Sequence, residues 1–155
     1  MTTQLAPGIL QIAKDFIKAV ENRKSFDELC QFYHPDILQI EYPNSITKKI
    51  KIRALQDLKN AAEQGRQVLR EEQYEILNSY VCDQTVILEV IWTGISAVDI
   101  GTAPARTKIK AYFTQFFEFK DNKIFRQRNY DCFEEFKIPQ PNSREEKVLD
   151  NEAKH

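Results

Sequence analysis

Polar side chains recur at every second position near the end of the chain, where they could do chemistry together. Gln127, Asn129 and Asp131 lie in the second half of residues 108–136, which read as two strands joined by a tight polar turn. Because a strand directs alternate side chains to opposite faces, these three share one face. If that face lines an enclosed pocket, the residues form a site; if it meets water, it is an ordinary sheet surface.

Asp131 is the candidate acid or base of such a site. A carboxyl group in an aromatic pocket is desolvated, which raises its pKa toward the range where it can both accept and release a proton. The alternative is a structural carboxylate that accepts backbone N–H bonds or pairs with a cation. Gln127, Asn129 and, on the preceding strand, Gln115 could hydrogen-bond a ligand, since buried amides need partners.

Aromatic side chains provide further candidates for the pocket. Four of them occupy matching faces of predicted strands: Tyr42, Trp92, Phe113 and Phe117. They could form an apolar binding wall or simply fill the core. His34 could act as an acid or base, because its ordinary pKa is near 6.5. Alternatively, the His34 ring forms a hydrogen bond to the backbone just after the end of a helix.

The charge and the hydropathy of the chain argue against two classes of partner. The chain has 155 residues, with 22 basic and 23 acidic side chains and a net charge of -1. Nucleic-acid binding needs a basic surplus that neutralises phosphates, so no nucleic acid is expected. No stretch approaches the ~20 apolar residues of a membrane span, so no membrane partner is expected.

The remaining composition predicts a cytoplasmic protein that needs no cofactor. Cys30, Cys82 and Cys132 have no paired spacing that would indicate a disulfide framework, and no signal-peptide pattern begins the chain. Two histidines leave no metal cluster of usual spacing. Four glycines form neither a phosphate loop nor a dinucleotide fingerprint, so we expect neither a metal nor another cofactor.

Three helices are predicted in the first half of the chain. Apolar residues at three- and four-residue spacing between Ile9 and Val20 form the stripe of the first helix. Ser25, with Glu28 three residues later, is typical of the start of a second helix over residues 26–33. A third helix is predicted over residues 53–63, with an interruption or end at Gly65.

Strands dominate the remainder. We predict strands over residues 37–42, 72–82 and 85–95, followed by the two strands of residues 108–136 that turn at Asp121-Asn122-Lys123. Residues 45–52 are interpreted as a basic loop or weak edge strand. The basic run that contains Arg53 is interpreted as a solvated segment.

This order predicts an α+β domain. Helices segregated beside a mainly antiparallel sheet are typical of that class. Four closing strands of about ten residues are longer than usual and must twist and curl. A curled sheet crossed by three N-terminal helices encloses a conical pocket. We predict a flexible leader over residues 1–8, the domain over 9–138 and a flexible charged tail over 139–155.

The opposite face of the closing strands suggests a homodimer. The side chains on that face alternate with the proposed pocket residues, and they are Tyr112, Thr114, Phe116, Arg126, Arg128 and Tyr130. Three neighbouring exposed aromatic residues would be an unusual surface for a monomer. Cys132 also alternates away from the pocket set, so we do not assign it as a nucleophile.

Several segments carry a resemblance to a known family. They are Phe32-Tyr33-His34-Pro35-Asp36, Ile40-Glu41-Tyr42-Pro43, the stretch EVIWTG and the stretch QRNYDCFE. With the order of elements, they resemble the nuclear transport factor 2-like superfamily and, within it, the SnoaL-like group. The resemblance covers roughly residues 9–136. It implies a curved sheet, a conical pocket, usually a homodimer, and either catalysis or non-catalytic binding.

The ketosteroid isomerase branch of that superfamily implies three pocket positions. Its general-base aspartate corresponds to Tyr42, its oxyanion tyrosine to about Phe16 and its protonated aspartate to about Gln115. None of these residues retains the required group, so isomerase chemistry of that type is not expected. The positions remain candidates for contacting a ligand, and Gln115 could donate a hydrogen bond to a carbonyl.

SnoaL-like cyclases imply a different acid. They place a catalytic aspartate on the last strand, and Asp131 is the matching position. The leading hypothesis is therefore a homodimer whose pocket binds a small apolar molecule bearing a carbonyl or hydroxyl, with cofactor-free cyclase, isomerase or dehydratase chemistry. The rival hypothesis is a dimeric binding or interaction module without catalysis, with the pocket filled by side chains.

Overall fold

The computed structural model describes residues 8–136, which form three helices and six strands. The helices are α1 (Ile9–Glu21), α2 (Phe26–Cys30) and α3 (Leu55–Val68). The strands are β1 (Tyr33–Glu41), β2 (Lys51–Arg53), β3 (Leu69–Cys82), β4 (Thr85–Ser96), β5 (Lys108–Lys120) and β6 (Lys123–Phe133). The predicted tail and the predicted leader, apart from Gly8, lie outside the described residues.

The first two helices form where their patterns predict them, but α2 is shorter than expected. In α1 the apolar stripe buries Ala13, Phe16 and Ile17. The Ser25 Oγ accepts a hydrogen bond from the Glu28 N–H at 3.3 Å, which confirms the predicted helix start. The prediction that α2 continues to residue 33 is wrong. Because His34 precedes a proline, it favours extended backbone, and the chain enters β1 at Tyr33.

The third helix is longer than predicted and runs through Gly65 without interruption. Its first turn is stabilised by the Ala54 N–H, which donates to the Asp57 carboxylate at 2.9 Å. At its far end the Arg66 guanidinium donates to the carbonyls of Arg23 and Lys24 after α1. A glycine inside a helix costs only about 1 kcal/mol relative to alanine, which packing against the rest of the domain offsets.

Gly65→Ala is expected to raise the free energy of unfolding by about 0.5–1 kcal/mol, because it removes conformational freedom from the unfolded chain. Apart from the adjacent residues and the backbone of the helix itself, no atom lies within 4 Å of the position that the new Cβ would take. Urea unfolding measures the change. Gly94→Ala is the matched control, since its Cβ would lie 2.6 Å from the Trp92 ring and should destabilise the protein. A destabilised Gly65→Ala variant would contradict the expectation.

The six strands form one sheet in the order β2-β1-β6-β5-β4-β3. Strands β1 and β6 are parallel and all other neighbours are antiparallel, which confirms the predicted α+β class. Irregular registers within β1, β3 and β6 bend the strands and increase their twist. At the β5–β6 turn Asp121 and Asn122 have φ of 53° and 57°, as a tight hairpin turn requires.

The core lies between the helices and the concave face of this curved sheet. Alternate residues of β4 are buried there: Val86, Leu88, Val90 and Trp92. Phe16 of α1 packs edge-to-face against Tyr33 at 5.4 Å and against Phe117 at 5.9 Å between ring centroids. The helices therefore close the open side of the sheet. Among residues 8–136, no helix is long and apolar enough to cross a membrane.

Candidate functional site

A cavity of about 370 Å³ lies between the three helices and the concave face of the sheet. Its helical side is apolar and includes Phe16, Ile17, Val20, Leu58 and Ala62. Its sheet side is mainly polar and includes Gln39, Glu41, Arg53, Gln115, Gln127 and Asn129. The core is thus not filled completely by side chains, and one wall of the remaining space can form hydrogen bonds.

Four amide side chains form a continuous row on that wall. The parallel pairing of β1 with β6 places Gln39 beside Gln127, and the pairing of β5 with β6 places Gln115 beside Asn129. The Gln127 Nε2 donates to the Asn129 Oδ1 at 3.0 Å. Within the described residues, the buried Oε1 atoms of Gln115 and Gln127 have no hydrogen-bond partner. Since buried polar atoms are normally satisfied, these two favour a ligand that supplies the missing bonds.

An ion pair borders the amide row. Arg53 Nη1 lies 2.8 Å from Glu41 Oε2, and both side chains are largely buried. The same nitrogen is 3.3 Å from Gln39 Oε1, and the Asn44 amide donates to Glu41 at 3.1 Å. The interpretation of Arg53 as part of a solvated run is therefore wrong. Its pairing with β1 turns it into the cavity, because Arg53 is the register partner of Gln39.

Asp131 lies two residues beyond Asn129 on the same face of β6. Its pKa is raised to about 7, first by burial and then by the charge of Glu41, while Arg53 opposes the rise. Its cross-strand partner Phe113 stacks on Trp92 at 5.5 Å, so the surroundings are aromatic. The Oδ1 atom is buried and has no hydrogen-bond partner among residues 8–136.

Asp131 is adjacent to the cavity without forming part of its wall. Glu41 and Tyr74 line the cavity, and each is close enough to Asp131 for charge to act between the two groups. Burial, and then the charge of Glu72, raises the pKa of Tyr74 well above its ordinary range, so this phenol stays protonated. Asp131 therefore combines a near-neutral pKa with a position on the same face as the polar wall, just beyond its end.

Seven of the nine other predicted site residues lie in or beside the cavity. Phe16, Gln115, Gln127 and Asn129 line the cavity. Three predicted aromatic residues are buried in the core beside it, namely Trp92, Phe113 and Phe117. Their burial fits the alternative that these aromatic rings fill the core, while the cavity itself remains open.

Two predicted pocket residues lie elsewhere, and strand alternation explains both. Tyr42 follows Glu41, which faces the cavity, so its ring lies on the other side and stacks on Tyr130 at 4.5 Å. His34 follows the buried Tyr33, and its ring packs against Phe125 at 5.1 Å. Its Nδ1 accepts the Asp36 N–H at 3.0 Å. The placement of these two side chains in the pocket is therefore corrected.

The polar residues of the site that were not predicted include Gln39, Glu41, Arg53 and Tyr74. The available signal was the alternation of Gln39 and Glu41 on β1, opposite to Tyr42. The position of Arg53 depends on the pairing of a three-residue edge strand, which no local pattern indicates. Among residues 8–136, no group of histidine, cysteine, aspartate and glutamate side chains could hold a metal ion.

The convex face of the sheet is also aromatic. Tyr112 and Tyr130 are each 44% exposed, and the Phe116 ring lies 5.9 Å from the Tyr130 ring. The Arg128 guanidinium lies 5.1 Å from the Phe116 ring and 2.7 Å from the Glu118 carboxylate. This face therefore presents aromatic rings framed by charged groups.

The chain resembles known proteins in sequence profile and in fold. A profile of the SnoaL-like domain matches residues 13–127. No curated protein sequence is significantly similar to the chain.

Solved structures share the fold at low sequence identity. AclR from Streptomyces galilaeus, a candidate hydroxylase, is 13% identical with a TM-score of 0.66, and the match covers 79% of this chain and 77% of that one. A candidate SnoaL-like polyketide cyclase from Shewanella putrefaciens CN-32 is 12% identical with a TM-score of 0.66, covering 82% and 91%. IdmH from Streptomyces antibioticus, a candidate polyketide cyclase, is 9% identical with a TM-score of 0.68, covering 81% and 92%. At these low sequence identities, the similarity shows a shared fold only.

Proposed function

We propose, given that the chain belongs to the SnoaL-like domain family, that its cavity binds a small, largely apolar molecule bearing a carbonyl or hydroxyl group. The amide row carries this proposal. Gln115 and Gln127 hold buried Oε1 atoms without hydrogen-bond partners among the described residues, on the polar wall of an otherwise apolar cavity. A ligand hydroxyl would satisfy one of these acceptors, and an amide turned by half a rotation would instead donate to a carbonyl.

The proposed chemistry is proton transfer by Asp131. A carboxyl group whose pKa is about 7 is present in both protonation states near neutral pH. Its ionised form could take a proton from a carbon beside a ligand carbonyl, and its protonated form could return one. An amide N–H of the row would stabilise the negative charge that develops on the carbonyl oxygen. Cyclisation, isomerisation and dehydration all use such steps without a cofactor.

The experiment follows hydrogen exchange on simple ketones, since it requires no knowledge of the natural substrate. Acetophenone and ethyl benzoylacetate are incubated with the protein in deuterated buffer, and loss of their α-proton signals is recorded by NMR. The wild-type protein is expected to accelerate exchange above an equal concentration of acetate. Side-chain amide signals of Gln115 and Gln127 are expected to shift on addition of either probe. Exchange no faster than with acetate would contradict the proposed chemistry.

A non-catalytic binding module is the second candidate function. It is favoured by the position of Asp131, which lies two residues beyond Asn129 on the same face and does not line the cavity. The same NMR experiment separates the two candidates. Shifted amide signals without accelerated exchange would favour the binding module, whereas accelerated exchange favours the enzyme.

We also propose that the convex face of the sheet forms a homodimer. Tyr130→Glu would place a charge among the aromatic rings of that face, so it is expected to weaken dimerisation by at least about tenfold. Sedimentation equilibrium measures the change. Val98→Glu is the control, because Val98 is 45% exposed in the loop between β4 and β5. A wild-type protein that is monomeric at high concentration would contradict the proposal.

A further inference from the structure

A second cavity of about 180 Å³ opens between the end of α1 and the last turns of α3. It shares four lining residues with the central cavity, namely Val20, Leu29, Ala61 and Ala62. Because the same side chains line both spaces, the two cavities are immediate neighbours with an apolar and mostly small common wall. The smaller cavity, called the outer cavity below, therefore lies directly beside the central cavity, at the ends of α1 and α3.

Cationic side chains surround this outer cavity. Arg23, Lys24 and Arg66 line it, together with a single carboxyl group, that of Glu72. The Arg23 Nη2 donates to the Arg66 carbonyl at 3.2 Å, and the Arg66 Nη2 donates back to the Arg23 carbonyl at 3.0 Å. These reciprocal bonds hold both guanidinium groups at the opening.

One donor in this cluster has no hydrogen-bond partner among residues 8–136. The Arg23 Nη1 atom is buried and makes no hydrogen bond within the described residues. A buried donor on a charged group is costly to leave unsatisfied, and guanidinium nitrogens bind carboxylate oxygens strongly.

Glu72 does not neutralise the cluster fully. Its Oε1 lies 3.5 Å from the Trp92 Nε1, on the side of the core, and burial raises its pKa. Three cations against one partly buried carboxyl group leave a positive excess at the opening. The Arg23 nitrogen that lacks a partner within the described residues and the nearby Lys24 ammonium suit a single negative charge, which favours a carboxylate over a doubly charged phosphate.

We propose that the ligand of the central cavity is a carboxylic acid, with its carboxylate bound by Arg23 and Lys24 at the outer cavity and its apolar body extending past Ala61 and Ala62 toward Gln115 and Gln127. This inference rests on the proposed function, because it assigns the ligand class of the same cavity. Because the cations and the amide row line different cavities, a ligand that contacts both must be an extended molecule rather than a compact acid such as acetate. The carbonyl or hydroxyl group assigned above would lie at the far end of that molecule.

The test compares acids with neutral analogues of the same length. Hexanoate, octanoate and decanoate, and the methyl ester of each, are titrated into the wild-type protein and followed by NMR. At least one acid is expected to bind more tightly than its ester by about tenfold. This preference should weaken at high salt, since exposed charge interactions are screened. The side-chain Nε signal of Arg23 is expected to shift with the acid and not with the ester.

Arg23→Gln should remove the preference for the acid while leaving the affinity of the ester unchanged. Lys18→Gln is the matched control, since Lys18 is an exposed cation of α1 that does not line the outer cavity. Should Arg23→Gln fail to fold, Lys24→Gln provides the second variant, because Lys24 is exposed, and about a threefold loss of acid affinity is expected.

The outcomes separate this inference from the proposed function. Esters that bind as tightly as their acids, with affinities unchanged in the Arg23 and Lys24 variants, would overturn the carboxylate site and leave the binding cavity standing. Failure of every acid and ester to bind would overturn both. Acid binding that persists in both variants would likewise overturn the assignment of Arg23 and Lys24.

Discussion

Asp131→Asn is expected to lower the rate of enzyme-catalysed α-proton exchange by about 10²–10⁴-fold, the usual contribution of a general acid or base. Asparagine keeps the size of the side chain but cannot accept and return a proton at neutral pH. Binding of the ketone probes should persist, because Gln115 and Gln127 remain in place. The rate in the wild-type protein should rise with pH through about 7, as the Asp131 carboxyl ionises.

The measurement is the NMR exchange rate at saturating probe, compared between the two proteins across this pH range. Asp83→Asn is the matched control, because Asp83 is an exposed turn residue with a φ of 54°, a conformation that asparagine tolerates. Its exchange rate should equal that of the wild-type protein. An Asp131→Asn protein with undiminished exchange would remove Asp131 from the mechanism.

Asp131 is also expected to make the free energy of unfolding fall as pH rises. Its pKa is about 7 in the folded protein, whereas an aspartate in an unfolded chain has a pKa of about 3.9. The folded state thus binds this proton more tightly than the unfolded state. The resulting stabilisation is fully present below the unfolded pKa and is lost as pH rises through the folded pKa. Each pH unit corresponds to about 1.4 kcal/mol, so the complete loss is about 4 kcal/mol.

Urea unfolding at several pH values between about 4 and 8 measures this effect. Fluorescence of Trp92, the single tryptophan, reports on the core in both the wild-type protein and Asp131→Asn. The stability of the wild-type protein relative to the variant should decline by about 4 kcal/mol over that range. The contribution of Glu72, whose pKa is also raised by burial, is present in both proteins and cancels. A difference that stays constant with pH would contradict the shifted pKa of Asp131.

Local patterns were sufficient for most of the secondary structure. The apolar stripe of α1 and the Ser25 cap depend on residues within one or two turns, and both predictions are confirmed. The end of α3 was not predictable in this way. Gly65 disfavours helix locally, but contacts of Arg66 with the end of α1, more than forty positions away in sequence, favour its continuation.

The candidate site shows the same division between local and distant interactions. The shared face of Gln127, Asn129 and Asp131 follows from alternation along one strand, whatever the strand pairs with. The inward position of Glu41, and hence the outward position of Tyr42, depends on which face of β1 meets the helices. A shift of one residue along a strand moves every side chain to the opposite face. The resemblance to the isomerase position before Pro43 therefore pointed to Tyr42, although it is the preceding residue, Glu41, that faces the cavity.

The sequence by itself determined the class of the fold, the alternation of the closing strands and the identity of Asp131 as the candidate acid or base, because each depends on spacing along a continuous segment. Only the tertiary structure decided that Arg53 and Glu41 join the amide row, that the cavity remains open, and that the Asp131 pKa lies near 7. The pairings of β1 with β2 and β6 bring together side chains from distant segments. Packing then sets how far water is excluded from them, and neither property is encoded in local spacing.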